Sequence, residues 1–282
     1  MNYRGESFRR EFSQLGELRS FISEHVHVMA LTATATQETR RCIFKTLYML
    51  QPKIVYVRPV KTNIIYEVVA KSSIQDVFYP IIHNLLKEGV KMGRMIIFCK
   101  KYTEVGSIYS YFKKSMKDKF TEPIGAPDLS RYRPVEMFTS CTQGYVKETI
   151  VDQFTKPSQL RIVIGTIAFG MGIDSPDVRT VINWGESADC EMYVQESGRA
   201  GRDGLQSCAT TYYGKGDLNK KFISPQMIKY CVNKDNLCRR KILFEDFYDC
   251  DGVAPEPLCL CCDICRVKCN CMDCSLSVLN QM

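Results

Sequence analysis

The chain has 282 residues, a size for one large or two modest domains, and 45% of them are hydrophobic, enough to bury a full core. Its net charge of +7 is compatible with a polyanionic partner without demanding one. The start, MNYRGESFRREF, has no apolar run that reads as a signal peptide, and the longest apolar stretch, RIVIGTIAFGMGID, is too short and glycine-rich to span a bilayer, so a soluble intracellular protein is expected.

In chain order, FSQLGELRSFISEH (12–25) has helical spacing in Phe12, Leu15, Leu18 and Ile22. VHVMALTATAT (26–36) reads as a short apolar strand ending in a Thr/Ala turn, and TQETRRCIFKTLYML (36–50) as an amphipathic helix that Thr36 caps. KIVYVRPV (53–60) and NIIYEVVA (63–70) read as strands. A helix over 73–89 ends at Gly89, a buried strand covers 93–100, and a helix covers 103–116. Residues 117–134 lack periodicity and form a loop. Then come a strand (135–140), a helix (145–156) and strands at 160–166, 178–184 and 208–213. Strands alternating with helices over 54–215 predict an α/β fold, a parallel sheet with helices on both faces. From Lys220 the pattern turns helical and then cysteine-rich.

Four motifs carry chemistry. IVIGTIAFGMGIDSPDV ends a buried strand at Thr166 and continues into a loop with Gly170, Gly172 and Asp174. Such a loop at the carboxyl end of a parallel strand brings backbone N–H groups close to a ligand, or it is only a tight turn. YVQESGRAGRDG (193–204) spaces Arg199 and Arg202 by three, on one face if helical, and a planar guanidinium matches phosphate oxygens. Gly198 and Gly201 are poor helix formers, which points to close backbone packing. ALTATAT (30–36) suits a loop at a domain interface or a plain helix cap.

The fourth motif is the tail. Seven of the 15 cysteines fall between Cys259 and Cys274. Dense short-spaced cysteines without a secretion signal hold metal more often than they form disulfides. Cys259, Cys262 and Cys265 follow a C-x2-C-x2-C spacing, with Cys238 as the candidate fourth ligand, and zinc is favoured over free thiols or an iron–sulfur cluster. Cys261, Cys269, Cys271 and Cys274 are left as spare thiols, a second site or alternative ligands.

Together and in this order the motifs resemble the RecQ family of DNA helicases. ALTATAT is similar to motif III, MIIFCKKYTEV to motif IV, VIGTIAFGMGIDSPDVRTVINW to motif V and YVQESGRAGRDG to motif VI. MIKYCVNKDNLCRRKILFEDF with CLCCDIC resembles the family's zinc-binding subdomain. The resemblance implies an ATP-driven 3′–5′ DNA helicase of repair and recombination, nuclear or else cytoplasmic, with two RecA-like lobes closing on ATP and Mg²⁺ and single-stranded or forked DNA held by backbone contacts. It implies Arg202 as arginine finger and Arg199 as a second phosphate-side cation. Gln195 falls at the nucleotide cleft with Asp174 and the glycines 170 and 172. Thr166, Lys100 and Lys101 lie near the DNA, and Cys238, Cys259, Cys262 and Cys265 bind zinc.

Residues 1–53 match the end of a first lobe, 54–219 a second lobe and 220–282 the zinc subdomain. No G-x-x-x-x-G-K-[ST] loop and no Asp-Glu-x-His box occur in the chain; the only Gly-Lys pair, Gly214-Lys215, lacks the flanking residues. The chain by itself is therefore expected not to hydrolyse ATP. A non-enzymatic, zinc-stapled nucleic-acid-binding module is the alternative, and a cysteine-tail surface for a protein partner is a third reading.

Overall fold

The computed structural model describes residues 14–23, 25–57, 59–170, 173–214, 216–219, 221–247 and 255–272. The chain divides into two compact units, Met1–Val60 with Phe244–Asp251, and Lys61–Leu243 with Gly252–Met282. Among the described residues no helix is long and apolar enough to cross a membrane.

The smaller unit departs most from its sequence pattern. Among the described residues its regular helix is α1, Gln37–Thr46, where the Thr36 hydroxyl accepts from the Thr39 N–H at 3.2 Å, as expected of the cap. The helix expected over 12–25 is reduced to a 3-10 turn, Leu15–Ser20, with no side-chain cap; Phe12 lies outside the described residues. Among the described residues the strands expected at 26–36 and 53–60 do not form, and Met29, Leu31, Val55 and Val57 are each at least 80% exposed. An apolar strand needs a neighbour for its backbone ladder, and no strand of this unit supplies one among the described residues.

The larger unit is built as the alternation predicts. Six parallel strands, β1 Ile64–Ala70, β2 Arg94–Cys99, β3 Val135–Phe138, β4 Ile162–Gly165, β5 Val178–Trp184 and β6 Ser207–Tyr213, lie in the order β1-β6-β5-β2-β4-β3. Between them run α2 Ile74–Glu88, α3 Tyr102–Met116, α4 Gly144–Thr155 and α5 Cys190–Ser197. Successive strand residues point to opposite faces. Met95, Ile97, Ile164, Ile182 and Trp184 therefore share one face, where they pack on Phe78 and Leu85 of α2 and Ile108 and Phe112 of α3. From the other face, Asn183 donates to Glu196 of α5 at 2.6 Å. Near-continuous apolar strands are what a sheet covered on both faces requires.

β1 is an edge strand, and the tail covers it. After α6 Pro225–Val232 and α7 Arg239–Phe244, a final short helix α8, Asp263–Val267, lies against β1. The Tyr66 N–H donates to the Cys261 carbonyl at 3.3 Å, and Arg266 pairs with Glu67 at 2.8 Å. Unpaired edge N–H groups are a liability that such a cover removes. Two consecutive arginines fix it. Arg239 forks onto Asp263, with both bonds at 3.1 Å. Arg240 is fully buried; it donates to the Lys61 carbonyl at 2.6 Å and the Ile64 carbonyl at 2.7 Å and stacks on the Tyr66 ring.

Arg240→Ala leaves two carbonyls without donors and a hole beside Tyr66. We expect it to cost about 3 kcal/mol or more, read as a lowered thermal midpoint of the larger unit, with partial recovery in Arg240→Lys.

Candidate functional site

The arginine pair is built by a turn rather than by a helix. α5 is capped by Asp189, which accepts from the Met192 N–H at 2.8 Å, and it ends at Ser197, before either arginine. The following turn is pinned at the amino edge of β5, where the Gly201 N–H donates to the Val178 carbonyl at 2.9 Å. Gly201 has φ +58°, and a Cβ there would sit 2.3 Å from the Asn63 amide nitrogen. This is the close approach that the glycine-rich spacing signalled. Lys61, which the sequence reading passed over, donates to the Gly198 carbonyl at 2.7 Å and the Ala200 carbonyl at 3.1 Å. The turn brings Arg199 and Arg202 onto one acceptor: each donates to the Ile173 carbonyl at 3.1 Å, and Arg202 also pairs with Asp174.

Three cations thus crowd one corner. Burial, then the charge of Arg202, lowers the proton affinity of both Lys61 and Arg199. The carboxylate on Arg202, Asp174, is 82% exposed, and the neighbouring Asp203 is engaged by Arg179. The corner carries a local positive excess that suits an anion.

The loop bearing Asp174 is held from below by residues outside the sequence-read set. Buried Arg94 donates to Asp177 at 2.6 Å and to Ser175 at 3.3 Å, and Ser175 donates to the Phe154 carbonyl at 2.7 Å. A buried arginine opening an apolar strand was the available signal. Gly170 ends a 3-10 turn, Ile167–Gly170; Gly172 lies outside the described residues. Gln195 is exposed on α5, two residues before its end.

Thr166, Lys100 and Lys101 stand at the opposite edge of the sheet. β5 has seven residues, so at about 3.3 Å per residue the two edges are about 20 Å apart. Thr166 follows β4, and its N–H donates to the Phe138 carbonyl at 3.3 Å. Lys100 is not a free cation: it pairs with Glu186, which is fully buried. Burial pushes the Glu186 carboxyl up, partly offset by the Lys100 hydrogen bond. Lys101 is exposed at the start of α3, where its N–H donates to Glu104 at 3.1 Å. Beside it the Tyr102 hydroxyl meets Ser140 at 2.8 Å, and Tyr102 and Tyr145 are 56% and 70% exposed.

The cysteines form two groups, not the expected foursome. The sulfurs of Cys238, Cys261, Cys262 and Cys265 all lie within 4.8 Å of one another, with Cys238 at 3.5 Å from Cys261 and 4.0 Å from Cys262. Cys259 is not among them; it groups with Cys269 and Cys271. Local geometry explains the exchange. Cys259 sits in the 3-10 turn Leu258–Leu260, whereas Cys261 follows that turn and Cys262 caps α8, its sulfur accepting from the Cys265 N–H at 3.4 Å. Hydrogen bonds from Cys261, then Cys262, pull the Cys238 thiol far below its ordinary range; holding its proton against Cys238 pushes Cys261 far above. Burial raises Cys265 to about 12. Four clustered sulfurs are groups that a bound cation would deprotonate, so the four residues could hold a metal ion.

A family model for the helicase conserved C-terminal domain matches residues 79–204. The chain is 28% identical to ATP-dependent DNA helicase Q-like 2 of Arabidopsis thaliana, over 99% of this chain and 38% of that protein. It is 30% identical to ATP-dependent DNA helicase Q1 of Rattus norvegicus, over 86% and 38%, and 29% identical to ATP-dependent DNA helicase RecQ of Pasteurella multocida, over 93% and 39%. The chain thus spans about two-fifths of the length of these relatives. Among solved structures, S. cerevisiae Dbp5 bound to RNA and ADP BeF3 matches with a TM-score of 0.53 at 17% identity, covering 82% of this chain and 58% of that one, a likeness of fold alone.

Lys61→Met removes the donor that ties down the Gly198 and Ala200 carbonyls. A hydrogen bond to a charged group is worth about 1.5–3 kcal/mol when buried, and for a half-exposed ammonium solvent screening brings the pair down to about that much together. We expect the amides of residues 198–201 to exchange hydrogen roughly ten- to a hundredfold faster, with the β2 and β5 amides unchanged.

Proposed function

We propose a motor-lobe role from one premise: the chain is a relative of the RecQ-family helicases and carries their helicase conserved C-terminal domain. In this reading it supplies the second RecA-like lobe and metal-stapled subdomain of an ATP-driven 3′–5′ DNA helicase, working in the nucleus in a eukaryote. The observation that carries it is the convergence of Arg199 and Arg202 on the Ile173 carbonyl, with Lys61 behind them and a single exposed carboxylate on Arg202. Phosphoryl transfer gathers negative charge, and a finger arginine that neutralises it is worth roughly 10³ to 10⁵ in rate. Arg202, the more exposed of the two and paired with the 82% exposed Asp174, is the finger; half-buried Arg199 orients the corner.

The opposite edge of the sheet is the DNA side. Exposed Lys101, Thr166 and the tyrosines 102 and 145 combine a phosphate partner, a hydroxyl donor and stacking surfaces, the mixture that binds single strands without reading sequence. Lys100, engaged with Glu186, acts there as a support for the loop. With ATP and DNA served from two edges of one rigid sheet, movement of this lobe on hydrolysis displaces the strand.

The chain contains no phosphate loop, so hydrolysis requires a nucleotide cradle that these 282 residues do not encode. Purified chain should bind single-stranded DNA with a salt-dependent affinity indifferent to ATP, and should show no DNA-stimulated hydrolysis. Lys101→Ala should flatten the log–log salt slope by about 0.7. DNA-stimulated hydrolysis that disappears in Arg202→Ala would overturn the inactivity of the isolated chain; absence of DNA binding would overturn the DNA-side assignment. The second reading, a non-enzymatic nucleic-acid-binding module, is favoured by the same missing loop, and it alone requires full function without Arg202.

Zinc fits the group of Cys238, Cys261, Cys262 and Cys265. A tetrahedral ion with Zn–S bonds of about 2.3 Å spaces its sulfurs by about 3.8 Å, and the separations of Cys238 from Cys261 and Cys262, 3.5 and 4.0 Å, bracket that value. Structural zinc is worth about 10–16 kcal/mol in small domains, comparable to the stability of a whole domain. Chelation or Cys262→Ser should therefore expose residues 255–272 to protease first, while β2–β5 stay protected; equal resistance with and without chelator would count against the ion.

A further inference from the structure

We propose that the tail holds a second metal centre, in which Cys259, Cys269 and Cys271 bind a thiophilic divalent ion, zinc foremost, separately from the group of Cys238, Cys261, Cys262 and Cys265. The three sulfurs lie within 4.8 Å of one another. Cys259 and Cys271 are 3.8 Å apart, the sulfur–sulfur edge that a tetrahedral zinc with bonds of about 2.3 Å demands. Twelve residues separate these two cysteines in the chain, so local backbone geometry alone does not bring them together. What brings them together is the fold of the segment around α8. Cys259 precedes the helix in the 3-10 turn Leu258–Leu260, and Cys269 follows it, its N–H donating to the Arg266 carbonyl at 3.1 Å.

The two groups share no sulfur, and their surroundings differ. Cys261, Cys262 and Cys265 are buried beneath the cover on β1, and Cys238 ties them to α7. Cys259, Cys269 and Cys271 are half-buried, within reach of an ion from solvent. Three thiolates make a tripod that leaves a fourth position for a ligand outside the three, in the manner of zinc sites with three protein ligands. The first ion would fix the tail to the sheet; the second would close residues 259–271 on themselves around α8. The chemistry is that of thiols as such and does not depend on a helicase role.

The test is metal content of the full chain, expressed with zinc and desalted before elemental analysis. Wild type should carry about two zinc ions per chain, and Cys269→Ser/Cys271→Ser about one. Cys238→Ser should likewise fall to about one, retaining the ion that the double variant loses. A wild type with a single zinc, kept in Cys269→Ser/Cys271→Ser and lost in Cys238→Ser, would overturn the second centre while leaving the first intact. Because a variant tail could unfold, intact wild type is also titrated with cobalt(II): thiolate-to-cobalt absorbance that rises to two equivalents supports the proposal, and saturation at one overturns it.

Discussion

The buried guanidinium of Arg240 is the contact on which the rest of this structure leans. It sits beyond the edge strand of a parallel sheet, where no further strand accepts the backbone, and supplies donors to the Lys61 and Ile64 carbonyls. Burying a charge is costly unless every hydrogen bond is placed. Arg240 meets that condition in part, through the two carbonyls and the face of Tyr66, while its Nε is buried without a hydrogen-bond partner. Its neighbour Arg239 binds Asp263, which lies between Cys262 and Cys265 in the chain, so the cysteine tail and the sheet edge hold each other in register.

The same contact reaches the arginine corner. Lys61 receives Arg240 at its carbonyl and, through its ammonium, gives hydrogen bonds to Gly198 and Ala200. A continuous chain of polar contacts therefore runs from the cysteine-bearing tail to the turn that aims Arg199 and Arg202. The cysteine-bearing tail is more than an appendage in this arrangement. It braces one end of the strand whose start positions the cations, and the glycine at 201 lets that turn lie flat against Asn63.

The site was legible in the sequence to different depths. Arg199 and Arg202 meet at the Ile173 carbonyl beside Asp174 by a turn past the helix end, and not by the helical spacing read from the sequence. Lys61 and Arg94 were missed because a lysine in a linker and an arginine opening a strand have no motif around them; only tertiary contact gives them a role. Lys100 was read as a cation open to DNA, but the buried Glu186 that claims it lies 86 residues away, beyond any local pattern. Cys259 was placed with the first metal group because regular spacing favoured it. The adjacent pair Cys261-Cys262 won that place because the backbone passes from a 3-10 turn into a bridge with Tyr66 at that point.

The sequence by itself determined the alternation of strands and helices in the larger unit, the cap at Thr36 and the stop at Gly89, and the identity of the chemical groups. These follow from periodicity, capping and motif spacing, all local properties of the chain. Tertiary structure alone decided the strand order, which places β1 at an edge that the tail must cover, and it decided which cysteines and cations share a site. It also left the apolar runs at 26–36 and 53–60 without a ladder. Strand propensity is local, but a strand exists only where another backbone accepts its hydrogen bonds.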